Sequence, residues 1–167
     1  TDGLTKIANR CFCDYFLEQQ WYKCQRVHRD LAIIFGDVDF LKIYNDIYGH
    51  QAGDVCLQHV ALAISSSVRS SDLAARYGGE EFVVVLPDGN TDTAKVVAER
   101  IMSKLRGMQI PHEGSKVSEY VSISMGITSL YHNQVISPEE LVESAAQALY
   151  QAKQQGRDRT VVSEPSE

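Results

Sequence analysis

The chain predicts an α+β domain: an antiparallel-containing sheet built on a βαββαβ unit and flanked by helices. Three patterns predict it. Leu31 to Phe35 is a short unbroken apolar run, which reads as a buried strand. Leu73 to Tyr77 and Phe82 to Leu86 are strand-like segments on either side of Gly78-Gly79, so they should form a hairpin. The stretches around them repeat apolar residues at helical spacing.

In chain order, Asp14 to Val27 is expected to be an entry helix, and Asp39 to Tyr48 a short helix or turn after the first strand. Leu57, Val60, Ala61, Ile64 and Val68 form one helical stripe, and Ala94, Val97, Ala98, Ile101 and Leu105 repeat its offsets after the hairpin. Val121, Ile123, Met125 and Ile127 alternate with Ser122, Ser124, Gly126 and Thr128, which predicts a strand with one buried face. Ser137-Pro138-Glu139-Glu140 opens a further helix: serine caps, proline suits the first turn, and Glu140 completes a capping box. Its stripe is Leu141, Ala145, Ala148, Leu149 and Ala152, and Gly156 marks its stop. A short strand is expected at Thr160 to Val162, and the central unit is expected to carry its helices on one face. No repeat or linker interrupts this order, so residues 1–167 read as one domain with one core.

Hydrophobic content of 44% and charged content of 23% suit an ordinary globular domain. The net charge of -6 argues against a nucleic-acid partner, so any polyanion must be held by a few local cations. No apolar stretch approaches the ~20 residues of a membrane span, and no secretory signal is evident. A cytoplasmic domain without membrane contact is expected. The chain opens on Thr1 rather than Met, so we expect a piece of a longer protein, one that could itself be tethered to a membrane. Cys11, Cys13, Cys24 and Cys56 fit no zinc spacing and read as reduced thiols. The five histidines include no pair at helical ligand spacing.

Chemistry concentrates in Asp37-Val38-Asp39 and Gly78-Gly79-Glu80-Glu81-Phe82. Carboxylates at a strand end and a turn suit a hard cation such as Mg²⁺, which shares oxygen ligands with phosphates. No Walker A loop or GxGxxG offers another way to hold a nucleotide. Taken separately, each motif has a plain structural explanation. Paired glycines reach positive φ in a turn, and acids at turns and strand ends are commonly solvated. Read together they gain weight, because the first strand and the hairpin are neighbours and Asp37 could face Glu80 across one sheet edge.

The segment from Asp37-Val38-Asp39-Phe40 through Asn45 to Gly53-Asp54, followed by Arg76-Tyr77-Gly78-Gly79-Glu80-Glu81-Phe82, strongly resembles the GGDEF family of diguanylate cyclases. Asp2-Gly3-Leu4-Thr5 with Asn9-Arg10, and Ala148 through Lys153 to Gly156-Arg157, match the same family, so the resemblance covers nearly the whole chain. It implies the ferredoxin-like, palm-type sheet of nucleotidyl cyclases and the conversion of two GTP into cyclic di-GMP and two pyrophosphates. It implies Mg²⁺, two per active site, with Mn²⁺ as the alternative ion. Asp37 and Glu80 would hold the metal with the Val38 carbonyl. Glu81 would serve as metal ligand or base, and Arg76 would lie near the reacting phosphates. Asn45 and Asp54 match the guanine-reading positions; a carboxylate accepts from the guanine N1–H and N2–H₂, whereas adenine offers an acceptor at N1. Lys42, Lys153 and Arg157 match triphosphate-binding positions, and Lys153 and Arg157, four apart, are expected to share a helix face. Gly78 and Gly79 would leave room for the nucleotide.

Arg69-Ser70-Ser71-Asp72 matches the family's RxxD inhibitory product site, with Arg100 as a candidate second contact. The resemblance also implies a homodimer, since one bound GTP cannot supply both new bonds. Lys6 stands where glycine is usual, Leu41 where phenylalanine is usual, and Asp158 where asparagine follows Gly-Arg, which would weaken triphosphate binding somewhat. Two other readings compete with the cyclase: a non-catalytic receptor for cyclic di-GMP using Arg69 and Asp72, and another nucleotidyl cyclase or palm-type polymerase. The regulatory domain and its signal are not legible in the sequence.

Overall fold

The computed structural model of the chain describes residues 1–130 and 136–163. The elements run α1 (Arg10–Val27), β1 (Leu31–Val38), α2 (Leu41–Tyr48), α3 (His50–Ser65), β2 (Leu73–Arg76), β3 (Glu81–Pro87), α4 (Thr91–Met108), β4 (Ile123–Leu130), α5 (Pro138–Gln154) and β5 (Thr160–Val162). The strand order is β2-β3-β1-β4-β5, antiparallel throughout except for the parallel pair β4–β5.

Helix α1 begins at Arg10 rather than Asp14 because Asn9 caps it, accepting from the Phe12 N–H at 2.9 Å. Helix α5 starts with the expected capping box, Ser137 and Glu140 bonding reciprocally. The hairpin is where the sequence puts it, yet its glycines are not there for backbone conformation. Among the described residues the positive-φ glycines are Gly49 and Gly156, so neither Gly78 nor Gly79 supplies a left-handed turn. A Cβ at Gly78 would instead strike the Glu81 carboxyl.

Helices cover both faces of the sheet. On one, α3 and α4 pack Val60, Ile64, Ile101 and Leu105 onto Ala32, Ile34, Val84 and Leu86, with Leu41 and Tyr44 of α2 in the same cluster. On the other, α1 and α5 bring Leu17, Leu141 and Ala145 onto Leu31, Ile33, Val83 and Val85. The central unit thus keeps its helices on one side, as expected, and the flanking helices close the second. This corrects the reading of β4, which is buried along its whole length on both faces. Its serines and threonine lie under α5 or against neighbouring polar groups, and Gly126 admits the α5 backbone itself. A Cβ there would strike Leu149 N and Ala145 O.

Gly126→Ala should therefore lower stability by about 3 kcal/mol, at the upper end of overpacking costs because backbone atoms cannot step aside. Gly79→Ala, which meets nothing within 4 Å, should change it by well under ~1 kcal/mol. Urea midpoints of the two variants check the contrast.

Candidate active site

Strand β1 is paired on both sides and covered on both faces, so the acid near its end has little water. Asp37 stands opposite Glu81 in β3 and Ser124 in β4. The Val38 N–H donates to the Glu80 carbonyl at 3.2 Å, which brings the Asp37 and Glu80 side chains together. Asp37 is 5% exposed. Its Oδ2 accepts from Lys153 Nζ of α5 at 2.6 Å, and its Oδ1 is buried without a hydrogen-bond partner. Burial first, then the neighbouring Asp37, push the Glu80 carboxyl up to about 7, against a smaller opposing pull from Lys153. The site is short of positive charge. Hard oxygen donors and an orphaned carboxylate oxygen fit a Mg²⁺-class ion. Among the described residues no three Asp, Glu, His or Cys side chains gather as a metal nest. An ion here would take two carboxylates and backbone oxygen, of which the Val38 carbonyl is the nearest in sequence.

The other predicted residues divide into groups. Glu81 has its carboxyl over Gly78 and lines a cleft of about 490 Å³ between α1 and α5 with Arg10, Asp14 and Tyr77. Arg76 is committed to the turn: its guanidinium donates to the Gly79 carbonyl at 2.7 Å and pairs with Asp2 at 3.3 Å. Asn45 lies over Gly53 at the α2–α3 crossing, beside the turn carrying Asp54, and its Oδ1 is buried without a partner. Lys42 is exposed one helical turn before Asn45.

Arg157 departs from expectation. Helix α5 ends at Gln154, so Arg157 does not share a helix face with Lys153. It adopts a left-handed conformation (φ 63°), and its guanidinium lies 4.6 Å above the Phe40 ring. Asp158 is no free negative charge beside it, since Arg106 pairs with its carboxylate at 3.4 Å. Lys6 is likewise left-handed (φ 65°), which explains why glycine suits that position.

Arg69, Asp72 and Arg100 line one pocket of about 340 Å³ with Ser67, Thr93 and Val97. The Arg69 guanidinium donates to Asp72 at 3.0 Å and to the Pro87 carbonyl at 3.1 Å. Arg100 donates to the Ser67 carbonyl at 2.8 Å. Pro87 ends β3 and Glu81 starts it, which separates this cluster from the Asp37–Glu80 edge by about 20 Å of strand at ~3.3 Å per residue.

The sequence placed Asp39 in the acidic motif without a role of its own, and it gave none to His112. Asp39 is buried and accepts from Ser122 Oγ, Ser124 Oγ and the Asp158 N–H. His112 Nε2 donates to the Phe40 carbonyl at 3.0 Å while its ring packs edge-on against Tyr44. The alternating serines of β4 were the available signal for Asp39, because buried hydroxyls need an acceptor.

Glu80 couples the stability of the fold to pH. Its folded-state pKa lies above the unfolded value of 4.5, so its contribution to stability is fully present below about pH 4.5 and is lost as pH rises towards 7. Glu80→Gln, which stays neutral, should melt higher than wild type at pH 8 without divalent metal. The gap should close below about pH 5. Melting curves across that range check it.

A family model described as "Diguanylate cyclase, GGDEF domain" matches residues 1–159. Diguanylate cyclase A of Treponema denticola is 45% identical over 80% of this chain and 35% of its own length. Diguanylate cyclase DgcP of Pseudomonas aeruginosa is 37% identical over 97% of the chain and 24% of its own length. The chain thus spans only about a quarter to a third of these curated relatives. Among solved structures, the GGDEF domain of DgcB from Caulobacter crescentus, in complex with c-di-GMP, superposes with a TM-score of 0.89 at 29% identity, covering 99% of this chain and 93% of that one. The active GGEEF domain of a diguanylate cyclase from Vibrio cholerae gives 0.83 at 28% identity, covering 96% and 100%. With the five-stranded sheet and its motifs in place, this chain belongs to the GGDEF family of diguanylate cyclase domains.

Proposed function

We propose that this domain condenses two GTP into cyclic di-GMP and two pyrophosphates, in a Mg²⁺-dependent site completed by a two-fold dimer. The observation that carries the proposal is the convergence of Asp37 and Glu80 at one strand end, with a buried oxygen left unpartnered. Family membership supports it.

Asp37, Glu80 and the Val38 carbonyl would hold the metal. When bound, it would supply Lewis acidity at the α-phosphate and help form the attacking 3′-oxygen. Lys153, freed from Asp37, together with Lys42 and Arg157, would hold the triphosphate by charge-assisted hydrogen bonds. Asn45 and Asp54 would read guanine at the α2–α3 crossing, where the unpartnered Asn45 Oδ1 awaits a donor. The open space over Gly79 leaves room for phosphates beside the turn that Arg76 holds closed. Each subunit would contribute one GTP, whose 3′-oxygen attacks the α-phosphate of the other; two bonds to pyrophosphate break as two phosphodiester bonds form. Such geometry demands two facing subunits. Product would return to Arg69, Asp72 and Arg100 and lower turnover from outside the catalytic edge.

Incubation with GTP and Mg²⁺ over a range of protein concentrations tests the assignment. Cyclic di-GMP should form with a rate per subunit that rises with concentration. Absence of product even under forced dimerisation refutes the cyclase, and cyclic di-GMP binding without turnover would identify a receptor. Glu80→Gln should reduce turnover by about 10³-fold or more, a cost comparable to losing other major electrostatic contributors to a transition state. Arg69→Ala should raise the cyclic di-GMP concentration giving half-inhibition by about tenfold or more, the loss of one charge-assisted pair. An unchanged inhibition curve would count against the Arg69 site.

A further inference from the structure

Asp39 joins three parts of the chain that are far apart in sequence. It lies just past β1 and is 2% exposed. Its Oδ1 accepts from Ser124 Oγ at 2.6 Å, and its Oδ2 from Ser122 Oγ at 2.7 Å and from the Asp158 N–H at 3.1 Å. The first two bonds tie it to the β4 region. The third reaches across to the loop after α5, which belongs to neither strand.

That loop needs holding. Arg157 and Asp158 are consecutive non-glycine residues in the left-handed region, φ 63° and 49°. Asp39 grips the Asp158 N–H, Arg106 grips the Asp158 carboxylate at 3.4 Å, and the Phe40 ring lies under the Arg157 guanidinium at 4.6 Å. Phe40 is itself left-handed, φ 55°, and is steadied from the other side by His112, whose Nε2 must carry the proton because a carbonyl can only accept. The turn after β1 and the turn after α5 therefore lock each other. The Arg157 N–H donates to the Ala152 carbonyl at 3.0 Å and the Met125 N–H to the Arg159 carbonyl at 2.9 Å, so the loop is tied on either side of Asp158, and the Asp39 bond fixes the left-handed pair between those ties.

We propose that Asp39 is a positioning residue for triphosphate binding: by holding the Asp158 N–H it keeps the left-handed turn that aims Arg157 at the phosphates, without touching substrate itself. The two acids of Asp37-Val38-Asp39 then divide the end of α5 between them. Asp37 faces Lys153, and Asp39 sets Arg157 through the backbone. The inference rests on Arg157 being a phosphate ligand, as the proposed function has it.

The test is calorimetric titration of the domain with α,β-methylene GTP and Mg²⁺, comparing wild type, Asp39→Ala, Arg157→Ala and the double variant, each shown folded by its melting curve. Both single variants should weaken binding by about tenfold, in line with the cost of misplacing one charged contact, and the double variant should be no weaker than Arg157→Ala. Asp39→Asn should bind within about twofold of wild type, because its carbonyl can still take the Asp158 N–H while its amide turns to Ser124. Should Asp39→Ala not fold, Asp39→Ser, which leaves a smaller void, takes its place under the same criteria. Wild-type affinity in the Asp39 variant beside a weakened Arg157→Ala overturns this inference alone. Strictly multiplicative losses in the double variant do the same, as does an Asp39→Asn as poor as the alanine form. An Arg157→Ala with wild-type affinity overturns both this inference and the phosphate-binding role of Arg157.

Discussion

Two carboxyl groups held against each other at the end of a strand that cannot yield is the constraint on which this molecule is arranged. Strand β1 is hydrogen-bonded to β3 and β4 and covered by helices on both faces. Asp37 cannot swing out to water, and the backbone bond from Val38 to Glu80 keeps the second acid alongside. Ionised carboxylates in such a place repel and are poorly solvated. Lys153 answers part of the demand from α5. The rest shows as a Glu80 that holds its proton to near neutrality. Such a pair suits the cation of the proposed function, and the doubly paired strand keeps the two acids from relaxing apart.

Rigidity also separates the two clusters of charge. The acidic edge and the Arg69–Asp72 pair mark opposite ends of the same strand, β3, one through Glu81 and the other through the Pro87 carbonyl. A ligand at one end does not obstruct a ligand at the other. Asp72 is nearly inaccessible while Arg69 keeps more than half its side chain exposed, so the arginine is presented outward by a partner that remains in the wall.

Much of the architecture was legible in the sequence because local signals and packing agree. The capping box at Ser137, the apolar run of β1 and the glycine-punctuated hairpin each specify one element. The juxtaposition of Asp37 with Glu80 followed from strand adjacency. What escaped depends on tertiary contacts. The alternation of Val121 to Thr128 suggested one buried face, but α5 covers the serine side as well, and hydroxyls tolerate burial when an acid accepts from them. The spacing of Lys153 and Arg157 suggested one helix face; the helix stops first, and Arg157 is placed by an aromatic ring and a backbone bond. Asn9 was visible as a motif residue yet not as a cap, which shortened the expected α1.

The left-handed residues are unevenly distributed in purpose. Phe40, Arg157 and Asp158 crowd one junction beside the acidic edge, whereas Lys6, His28, Asp88 and Gln109 occur at turns and helix ends elsewhere. Glycine or asparagine at the second group would relieve awkward geometry where the chain merely changes direction. At the first group the junction carries the proposed phosphate-binding turn, so changes at Phe40 or Arg157 would act on the stacked pair of that proposed site as well as on stability. Attempts to harden this protein against heat thus have a map drawn by its own backbone: four positions open to improvement, and one junction where Phe40 and Arg157 are best left alone if the proposed function holds.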